Sequence, residues 1–290
     1  METWTVARVL AWAADDLRGR GGDSPRLDAE LLLATVLECD RVRLILDHAR
    51  PLEARELDAY RALHKRRRTG EPVAYLRGVR EFYGRPFVVD ARVLVPRPET
   101  ELLVETALAL TRHVYLSARV LDLCTGSGCV AITLKKERPT CAVFASDISS
   151  GALCVARLNA RRLGALVAFA ESDLFSELEH LRGRLDAIVA NPPYIPDTEA
   201  TALPVDVRDF EPRIALTSGG DGLDVTRRLV KEAPRMLAPG GALALEIDAP
   251  SAAKVTALME AAGFDDIAVA RDIAGRPRVV SARWRGPARC

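Results

Sequence analysis

Apolar positions in the first quarter of the chain recur at the spacing of amphipathic helices. The first apolar face is formed by Val6, Val9, Leu10, Ala13 and Leu17. Glycines end this segment at Gly19, Gly21 and Gly22. Ser24 and Pro25 then predict the N-cap and the first residue of a second helix. A strand pattern does not begin before about residue 73. The pattern therefore predicts an N-terminal all-helical domain over residues 1–73.

A different pattern, rich in Phe, Tyr and Val, follows in residues 80–95. Gly84-Arg85-Pro86 lies in its middle, which predicts a β-hairpin. The next segment, 95–101 (VPRPETE), carries two prolines, which exclude it from a helix interior or a central strand. We expect a stiff loop there that opens a helix over 102–110. Residues 74–101 are therefore predicted to form a β-hairpin linker.

The rest of the chain, residues 102–290, alternates short apolar runs with helical periodicity. Strands are predicted at 119–123, 141–146, 166–170, 185–190, 242–247, 267–271 and 278–284. Helices are predicted between them at 129–137, 149–163, 223–237 and 251–262. Strands buried between helices are typical of an α/β protein with a parallel, doubly wound sheet. Ligands of such sheets bind at the carboxyl ends of the strands, so functional residues are expected there.

The charge balance narrows the classes of partner. Lys and Arg total 41 and Asp and Glu total 40, which argues against a protein that coats DNA. The main local exception is the run 64–68 (HKRRR). We interpret it as a solvated helix end, where cations suit the helix dipole, with contact to RNA or an acidic partner as the alternative. No apolar run approaches the ~18 residues that span a bilayer, so no membrane partner is expected.

Cysteine usage and the N-terminus bear on the compartment. The six cysteines, without a CxxC pair, are Cys39, Cys124, Cys129, Cys141, Cys154 and Cys290. Most lie in apolar stretches, which is typical of reduced thiols rather than disulfides or zinc ligands. The N-terminal segment carries acids and Arg within its apolar pattern, so it does not have the pattern of a signal peptide. We expect a cytoplasmic protein without a bound metal.

A glycine-containing loop follows the first predicted strand of the sheet. It runs Asp122-Leu123-Cys124-Thr125-Gly126-Ser127-Gly128 and opens the next helix. Glycine permits a tight turn and a close approach of a ligand to the backbone. Ala131 stands where a GxGxxG fingerprint has its third glycine. A GxG loop alone is as often an ordinary turn, so this signal needs support from elsewhere.

Two acidic residues that end the next two strands supply that support. Asp147 stands 21 residues after Gly126, where an acid hydrogen-bonds the ribose hydroxyls of a bound nucleoside. Asp173 can accept the amino group of adenine, and Leu174 can pack against the ring. A single aspartate at a strand end is at least as often a helix N-cap. Two beside a glycine loop favour adenosine without a pyrophosphate, which predicts S-adenosylmethionine rather than NAD.

The segment Asn191-Pro192-Pro193-Tyr194 follows the fourth predicted strand. Two prolines fix the backbone so that the Asn191 side-chain oxygen and the Pro192 carbonyl can face one pocket. Two such acceptors suit a planar NH2 group with two N–H donors, which Tyr194 can cover. Holding both hydrogens orients the nitrogen and draws its lone pair towards a methyl donor. The alternative is a turn that merely ends the strand.

At these residues the sequence resembles the protein-(glutamine-N5) methyltransferases that modify bacterial peptide chain release factors. NPPY is shared with adenine-N6 methyltransferases and fixes the chemistry rather than the substrate. Further segments that are similar to this family are 71–78, 81–84, 95–101, 208–213, 219–222 and 272–278. The resemblance spans nearly the whole chain and is weakest in the first 70 residues.

The resemblance implies a Rossmann-like, seven-stranded class I methyltransferase fold that uses S-adenosylmethionine. It implies that the cofactor is bound by Cys124, Thr125, Gly126, Ser127, Gly128, Asp147, Asp173, Leu174 and Asn191. It also implies that the substrate glutamine amide, from the Gly-Gly-Gln motif of release factors, is held by Asn191, Pro192, Pro193 and Tyr194. Of these, Asn191, Pro192 and Tyr194 are the expected catalytic residues. The N-terminal helical domain is expected to recognise the protein substrate.

The sequence departs from the family in two places. Cys124 occupies a loop position that is often Gly, so its side chain is expected to point away from the cofactor. Residues 248–251 (DAPS) stand where the family often continues with Gly and a nearby Gln. Two other functions remain as alternatives. A DNA or RNA adenine-N6 methyltransferase would need a basic reading surface and base extrusion, which the neutral charge disfavours. A non-catalytic adaptor is disfavoured by the intact NPPY.

Overall fold

The computed structural model of the chain describes residues 3–19, 24–114 and 117–286. Gly21, Gly22 and Cys290 from the sequence analysis lie outside these residues. The chain divides into two compact units, Met1–Val79 with Pro204–Phe210, and Arg80–Leu203 with Glu211–Cys290. None of the described helices is long and apolar enough to cross a membrane.

The elements follow the chain in this order. The helices are α1 (Val6–Arg18), α2 (Pro25–Val36), α3 (Arg41–Leu46), α4 (Ala54–Arg67), α5 (Val73–Arg77), α6 (Glu101–Thr111), α7 (Cys129–Glu137), α8 (Ser150–Leu163), α9 (Val205–Arg208), α10 (Asp224–Met236) and α11 (Ala252–Ala261). The strands are β1 (Val79–Phe82), β2 (Arg85–Val88), β3 (Arg119–Leu123), β4 (Ala142–Asp147), β5 (Val167–Glu171), β6 (Leu185–Ala190), β7 (Leu237–Glu246), β8 (Asp265–Arg271) and β9 (Pro277–Arg283).

Helices α1 to α5 form the N-terminal part of the first unit, as the hydrophobic pattern predicts. The apolar faces of α1, α2 and α4 meet in a core that includes Val9, Leu33 and Tyr60, each fully buried. Helix α1 begins at a Thr5 cap whose side chain accepts a hydrogen bond from the Arg8 N–H. Pro25 occupies the first turn of α2, where its missing N–H has no partner to lose.

The basic run at the end of α4 is largely neutralised within this unit. Arg67 pairs with Asp28 at 2.8 Å, and both side chains are mostly buried. His64 is buried, and its Nε2 lies 3.0 Å from Asp16 Oδ2. Arg66 pairs with Glu71, and Arg68 pairs with Asp16. These pairs favour the interpretation of the run as a helix end over that of an RNA-binding patch.

The second unit is built on a seven-stranded sheet in the order β5-β4-β3-β6-β7-β9-β8. Strands β3 to β7 are parallel, as the alternation of strands and helices predicts. The expectation of a parallel sheet is wrong for its C-terminal edge, because β9 runs antiparallel to both β7 and β8. Only residues 272–276 join β8 to β9, whereas a parallel return needs a crossover of a dozen or more residues. The strand β9 therefore folds back as a hairpin between β7 and β8.

Side chains that alternate along the central strands build a core on each face of the sheet. Leu121 and Leu123 of β3 lie on one face with residues of α10 and α11, such as Leu229 and Val255. Val120 lies on the opposite face with residues of α6 and α7. Burial on both faces explains the nearly continuous apolar runs in the sequence. Because β3, β4 and β6 are parallel, their carboxyl ends lie at one edge of the sheet.

The predicted hairpin is confirmed as a two-stranded sheet of β1 and β2. Its turn lies at Tyr83 and Gly84, both with positive φ, as a tight two-residue hairpin requires. Residues 89–97 do not continue the strands, and the predicted linker begins with the short helix α5.

Candidate active site

A cavity of about 200 Å³ opens at the carboxyl ends of β3, β4 and β6, within the second unit. Most of the predicted site residues line it, namely Cys124, Thr125, Gly126, Ser127, Asp147, Asp173, Leu174, Asn191 and Pro193. Gly128, Pro192 and Tyr194 are not among the lining residues. The sheet topology thus brings together loops that are up to about 70 residues apart in sequence.

The glycine loop after β3 is fixed by a residue to which the sequence analysis assigned no role. Asp122 is buried, and its Oδ2 accepts hydrogen bonds from the Thr125 hydroxyl at 2.6 Å and from the Ala131 N–H at 3.1 Å. Burial raises the pKa of Asp122 to about 7, although these hydrogen bonds lower it. The carboxylate therefore joins the start of the loop to the first turn of α7.

Gly128 is needed for packing rather than for lining the cavity. It adopts φ +80°, and a Cβ there would lie 3.0 Å from Ile132 Cδ1 and 3.1 Å from Ala156 Cβ. Gly126 also has a positive φ, of +54°, but a Cβ there would meet no atom within 4 Å. Gly128 thus serves both backbone conformation and close helix packing, whereas Gly126 serves backbone conformation alone.

Asp147 connects the end of β4 to the glycine loop. Its Oδ2 accepts a hydrogen bond from the Gly126 N–H at 2.9 Å, and its Oδ1 accepts one from the Ser149 N–H at 2.9 Å. Burial raises the pKa of this carboxyl above its ordinary value, against the lowering effect of both N–H groups. Each carboxylate oxygen has a further lone pair, so Asp147 can also accept from a ligand hydroxyl in the cavity.

Asp173 and Leu174 follow β5 and lie in different surroundings. Asp173 Oδ2 accepts a hydrogen bond from Arg228 Nη2 of α10 at 2.8 Å, and both side chains are about half exposed. Leu174 is buried at φ +52° and lines the cavity. One oxygen of Asp173 is thus already paired with Arg228, a contact that the sequence pattern did not predict.

The NPPY loop is held by contacts on both sides. The Asn191 side-chain Nδ2 donates to Thr100 Oγ1 at 3.4 Å, just before α6. Pro192 and Pro193 are buried. Burial raises the pKa of Tyr194 to about 12, and the nearby Glu246 carboxylate adds to that effect. A Cβ at Gly222 would overlap the Tyr194 carbonyl oxygen, so the glycine-rich segment 219–222 packs directly on this loop.

The arrangement fits the adenosine and methionine parts of S-adenosylmethionine. Gly126 of the glycine loop and Asp147 line one side of the cavity, and Leu174 adds an apolar surface to it. Across the same cavity lie Asn191 and Pro193 of the NPPY loop. The Asp147 carboxylate and the NPPY loop therefore share one space. Among the described residues, no group of three or more His, Cys, Asp or Glu has metal-site geometry.

Comparison with known proteins identifies the family. Residues 8–78 match the profile of the PrmC N-terminal domain, and residues 98–207 match that of the methyltransferase small domain. A release factor glutamine methyltransferase of Geobacter sulfurreducens is 43% identical over 282 residues, which cover 97% of this chain and 98% of that protein. Another, of Rhodopirellula baltica, is 42% identical over 285 residues, 96% of each chain. This chain belongs to the release factor glutamine methyltransferase family.

A solved structure supports the fold independently of close sequence likeness. The catalytic domain of hMettl16, in complex with MAT2A 3′UTR hairpin 6, superposes with a TM-score of 0.57 at 15% identity. The match covers 75% of this chain and 82% of that one. At this identity the likeness shows the methyltransferase fold alone. Dependence on S-adenosylmethionine is general among methyltransferases of this fold.

The backbone conformation at Cys124 favours the glycine that the resemblance led us to expect at this position. Cys124 adopts φ +55°, a left-handed conformation that costs most residues about 1–2 kcal/mol and glycine very little. The residue lines the cavity and also packs against the core of the sheet. Burial raises the pKa of its thiol, so the sulfur remains a neutral, weakly polar group.

Two of the segments that are similar to this family meet in an ion pair. Arg97 of segment 95–101 donates from Nη2 to Glu211 Oε1 of segment 208–213 at 2.7 Å, and the Glu211 side chain is buried.

Asn159 of α8 is a further residue that the sequence pattern did not point to. Its Oδ1 accepts from the Val88 N–H at 2.7 Å, and its Nδ2 donates to the Ser127 carbonyl at 2.9 Å. The only sequence signal was an amide on the buried face of a helix.

Proposed function

We propose that this protein transfers the methyl group of S-adenosylmethionine to the side-chain amide nitrogen (N5) of the glutamine in the Gly-Gly-Gln motif of peptide chain release factors. The observation that carries the proposal is the position of Asn191. It leaves β6 at the cavity that Asp147 and the glycine loop also line, and its Nδ2 is engaged by Thr100. The side-chain carbonyl oxygen of Asn191 is thereby left to accept a hydrogen bond from a substrate NH2 group.

The chemistry needs orientation rather than a strong base. The bound cofactor supplies an electrophilic methyl group on a sulfonium. An amide nitrogen is a weak nucleophile because its lone pair is delocalised into the carbonyl. Two acceptors, the Asn191 side chain and the Pro192 carbonyl, would hold both N–H groups and direct the lone pair towards the methyl donor. The amide proton becomes acidic as the nitrogen is methylated, so water can remove it.

Residues for the cofactor are assigned by the same logic. We propose that Asp147 accepts from the ribose hydroxyls and that Leu174 packs on the adenine, with Asp173 receiving its amino group. The loop from Cys124 to Gly128 would receive the methionine part. The half-exposed Asp173 is the weakest of these contacts, because Arg228 already uses one of its oxygens.

We propose that the N-terminal helices recognise the release factor. Helix α3 presents three apolar side chains at helical spacing, Val42, Ile45 and Leu46, which are 63%, 71% and 68% exposed. Apolar side chains clustered on a surface commonly mark a protein-binding site.

The described cysteines are thiols without disulfides, which suits the cytoplasm, where release factors act.

The experiment that tests this proposal is the mapping of the transferred methyl group. The protein is incubated with methyl-labelled S-adenosylmethionine and a purified bacterial release factor, and the product is digested and mapped by mass spectrometry. We expect a single methyl group on the Gly-Gly-Gln glutamine, and none when that glutamine is replaced by glutamate. Methylation of adenine in added DNA or RNA, with an unmodified release factor, would instead favour the adenine-N6 alternative.

A further inference from the structure

A buried carboxylate that the proposed chemistry does not use lies beside Asn191. Glu246 ends β7, and Asn191 directly follows β6. The two strands pair in parallel with Ala190 opposite Leu245, so Asn191 and Glu246 emerge side by side. Glu246 is only 3% exposed, and its Oε2 has no hydrogen-bond partner among the described residues. An unpaired buried carboxylate oxygen is destabilising, so its presence calls for a reason other than packing.

Thr100 connects this carboxylate to the proposed active site. Its side chain is buried, its Oγ1 accepts a hydrogen bond from Asn191 Nδ2, and hydrogen bonding by its hydroxyl lowers the pKa of the Glu246 carboxyl against the effect of burial. A hydroxyl has one hydrogen to donate, whereas an ionised carboxylate can only accept. Thr100 must therefore donate to Glu246 and present its lone pairs to Asn191. Only the NH2 end of the Asn191 amide can then face Thr100.

We propose that Glu246 and Thr100 are positioning residues that fix which way the Asn191 amide faces, so that its carbonyl oxygen is presented to the substrate NH2. The inference rests on the proposed function, because it assigns a direction to an amide that the function requires as an acceptor. Without this polarity the amide could rotate by half a turn and offer its own NH2 to the substrate NH2, two donors facing each other. The 3.4 Å distance is long, as is common for active-site hydrogen bonds before the substrate binds.

The direction in which the Thr100 hydroxyl donates depends on whether Glu246 is ionised. The orientation of the Asn191 amide should therefore depend on pH. Burial raises the pKa of Glu246 to about 7, and the hydrogen bond from Thr100 opposes this. Protonated Glu246 could donate to the Thr100 hydroxyl. Thr100 would then be able to donate to the side-chain carbonyl oxygen of Asn191, which would turn that oxygen away from the substrate. The charged or titratable groups that act on Glu246 or feel its charge are Glu99, Arg97, Arg278, Tyr194 and Cys129.

The first test compares Thr100 variants with a matched control. Thr111 of α6 is likewise buried, but its hydroxyl donates to the Ala107 carbonyl of its own helix. In single-turnover methyl transfer to the release factor, we expect Thr100→Val to be about 10- to 100-fold slower, less than the roughly 10²–10³-fold loss of a preorganised contact itself. Thr100→Ser, which keeps the hydroxyl, should have nearly the wild-type rate. The control Thr111→Val should also have the wild-type rate. A normal rate for Thr100→Val would overturn the proposal.

A double-mutant cycle and a pH profile separate positioning from a merely structural role. Thr100→Val should add nothing to Asn191→Ala, because both changes remove the same oriented acceptor. The wild-type rate should fall as the pH drops below about 7, and Glu246→Gln should be slower but without that fall. Additive losses, or the same pH profile in both proteins, would refute the inference. A normal rate for Asn191→Ala would instead refute the proposed function on which it rests.

Discussion

The carboxylate of Asp147 accepts a hydrogen bond from the backbone N–H of Gly126 at 2.9 Å, which joins two adjacent strand ends across 21 residues of sequence. The same contact that places Asp147 at the cavity also fixes the loop against which a ligand would lie. The acid is therefore both a proposed ligand for the ribose and a support for the loop, and a substitution there affects both.

We expect Asp147→Ala to weaken S-adenosylmethionine binding by about 1.5–3 kcal/mol, the range for hydrogen bonds to a charged group. Isothermal titration calorimetry measures this directly. Asp186→Ala is the matched control, because its carboxylate also accepts a backbone N–H, that of Arg119 at 2.7 Å, at the opposite end of the strands. Equal affinities for wild type and Asp147→Ala would refute the ribose assignment.

Gly222→Ala should disturb the NPPY loop, because the new methyl group would overlap the Tyr194 carbonyl at a backbone φ of +78°. We expect the rate of methyl transfer to fall at least ~10-fold, by displacement of the reacting geometry. Gly220→Ala is the control, since a Cβ there meets no atom within 4 Å. Equal single-turnover rates for the two variants would show that close packing at Gly222 does not hold the NPPY loop.

Asp122→Asn should change how stability depends on pH. The pKa of Asp122 rises from an ordinary 3.8 to about 7 on folding, so the folded chain binds more protons between these values. The free energy of unfolding should therefore fall as the pH rises from about 4 to about 7, by at most ~1.4 kcal/mol per pH unit from this group. Urea unfolding across that range should give a flatter profile for Asp122→Asn, with Glu246 and Asp147, whose pKa values burial also raises, contributing slope in the same direction. The same pH dependence of unfolding in wild type and Asp122→Asn would contradict a raised pKa of Asp122.

The exposed apolar side chains of α3 can be tested by kinetics with the whole release factor. We expect the double substitution Ile45→Ser and Leu46→Ser to raise KM for the factor about 10-fold or more and to leave kcat unchanged, because binding and chemistry are separate. Leu166→Ser is the control, as this leucine is 85% exposed beside β5. If KM stays the same in the double variant, α3 does not contact the substrate.

Local pattern was sufficient for most elements and for the positions of the motifs. The helix predicted at 129–137 and the strand at 185–190 coincide with α7 and β6, because one carries helical periodicity and the other is an apolar run bounded by turn residues. The short connection at 272–276 was visible in the sequence, yet the antiparallel return of β9 was not inferred from it. A connection of this length excludes a parallel crossover, so that error was avoidable.

Contacts between distant segments could not be predicted in the same way. Arg228 reaches Asp173 across 55 residues, and Glu246 lies beside Asn191 only because β6 pairs with β7. Asn159 joins the glycine loop to the hairpin through backbone groups that carry no sequence signature. Tertiary packing brings these groups together, and a pattern read along one chain does not contain it.

The central claim is that Asn191 orients the substrate amide, and the single-turnover rate of Asn191→Ala tests it most directly. Methyl transfer is measured at saturating S-adenosylmethionine and release factor, with a thermal melt and a cofactor titration on the same protein. Our account predicts a rate roughly 10²–10³-fold below wild type, with nearly unchanged cofactor affinity and melting temperature. A wild-type rate per folded molecule, with any loss confined to stability, would show that Asn191 only shapes the turn and would contradict the account.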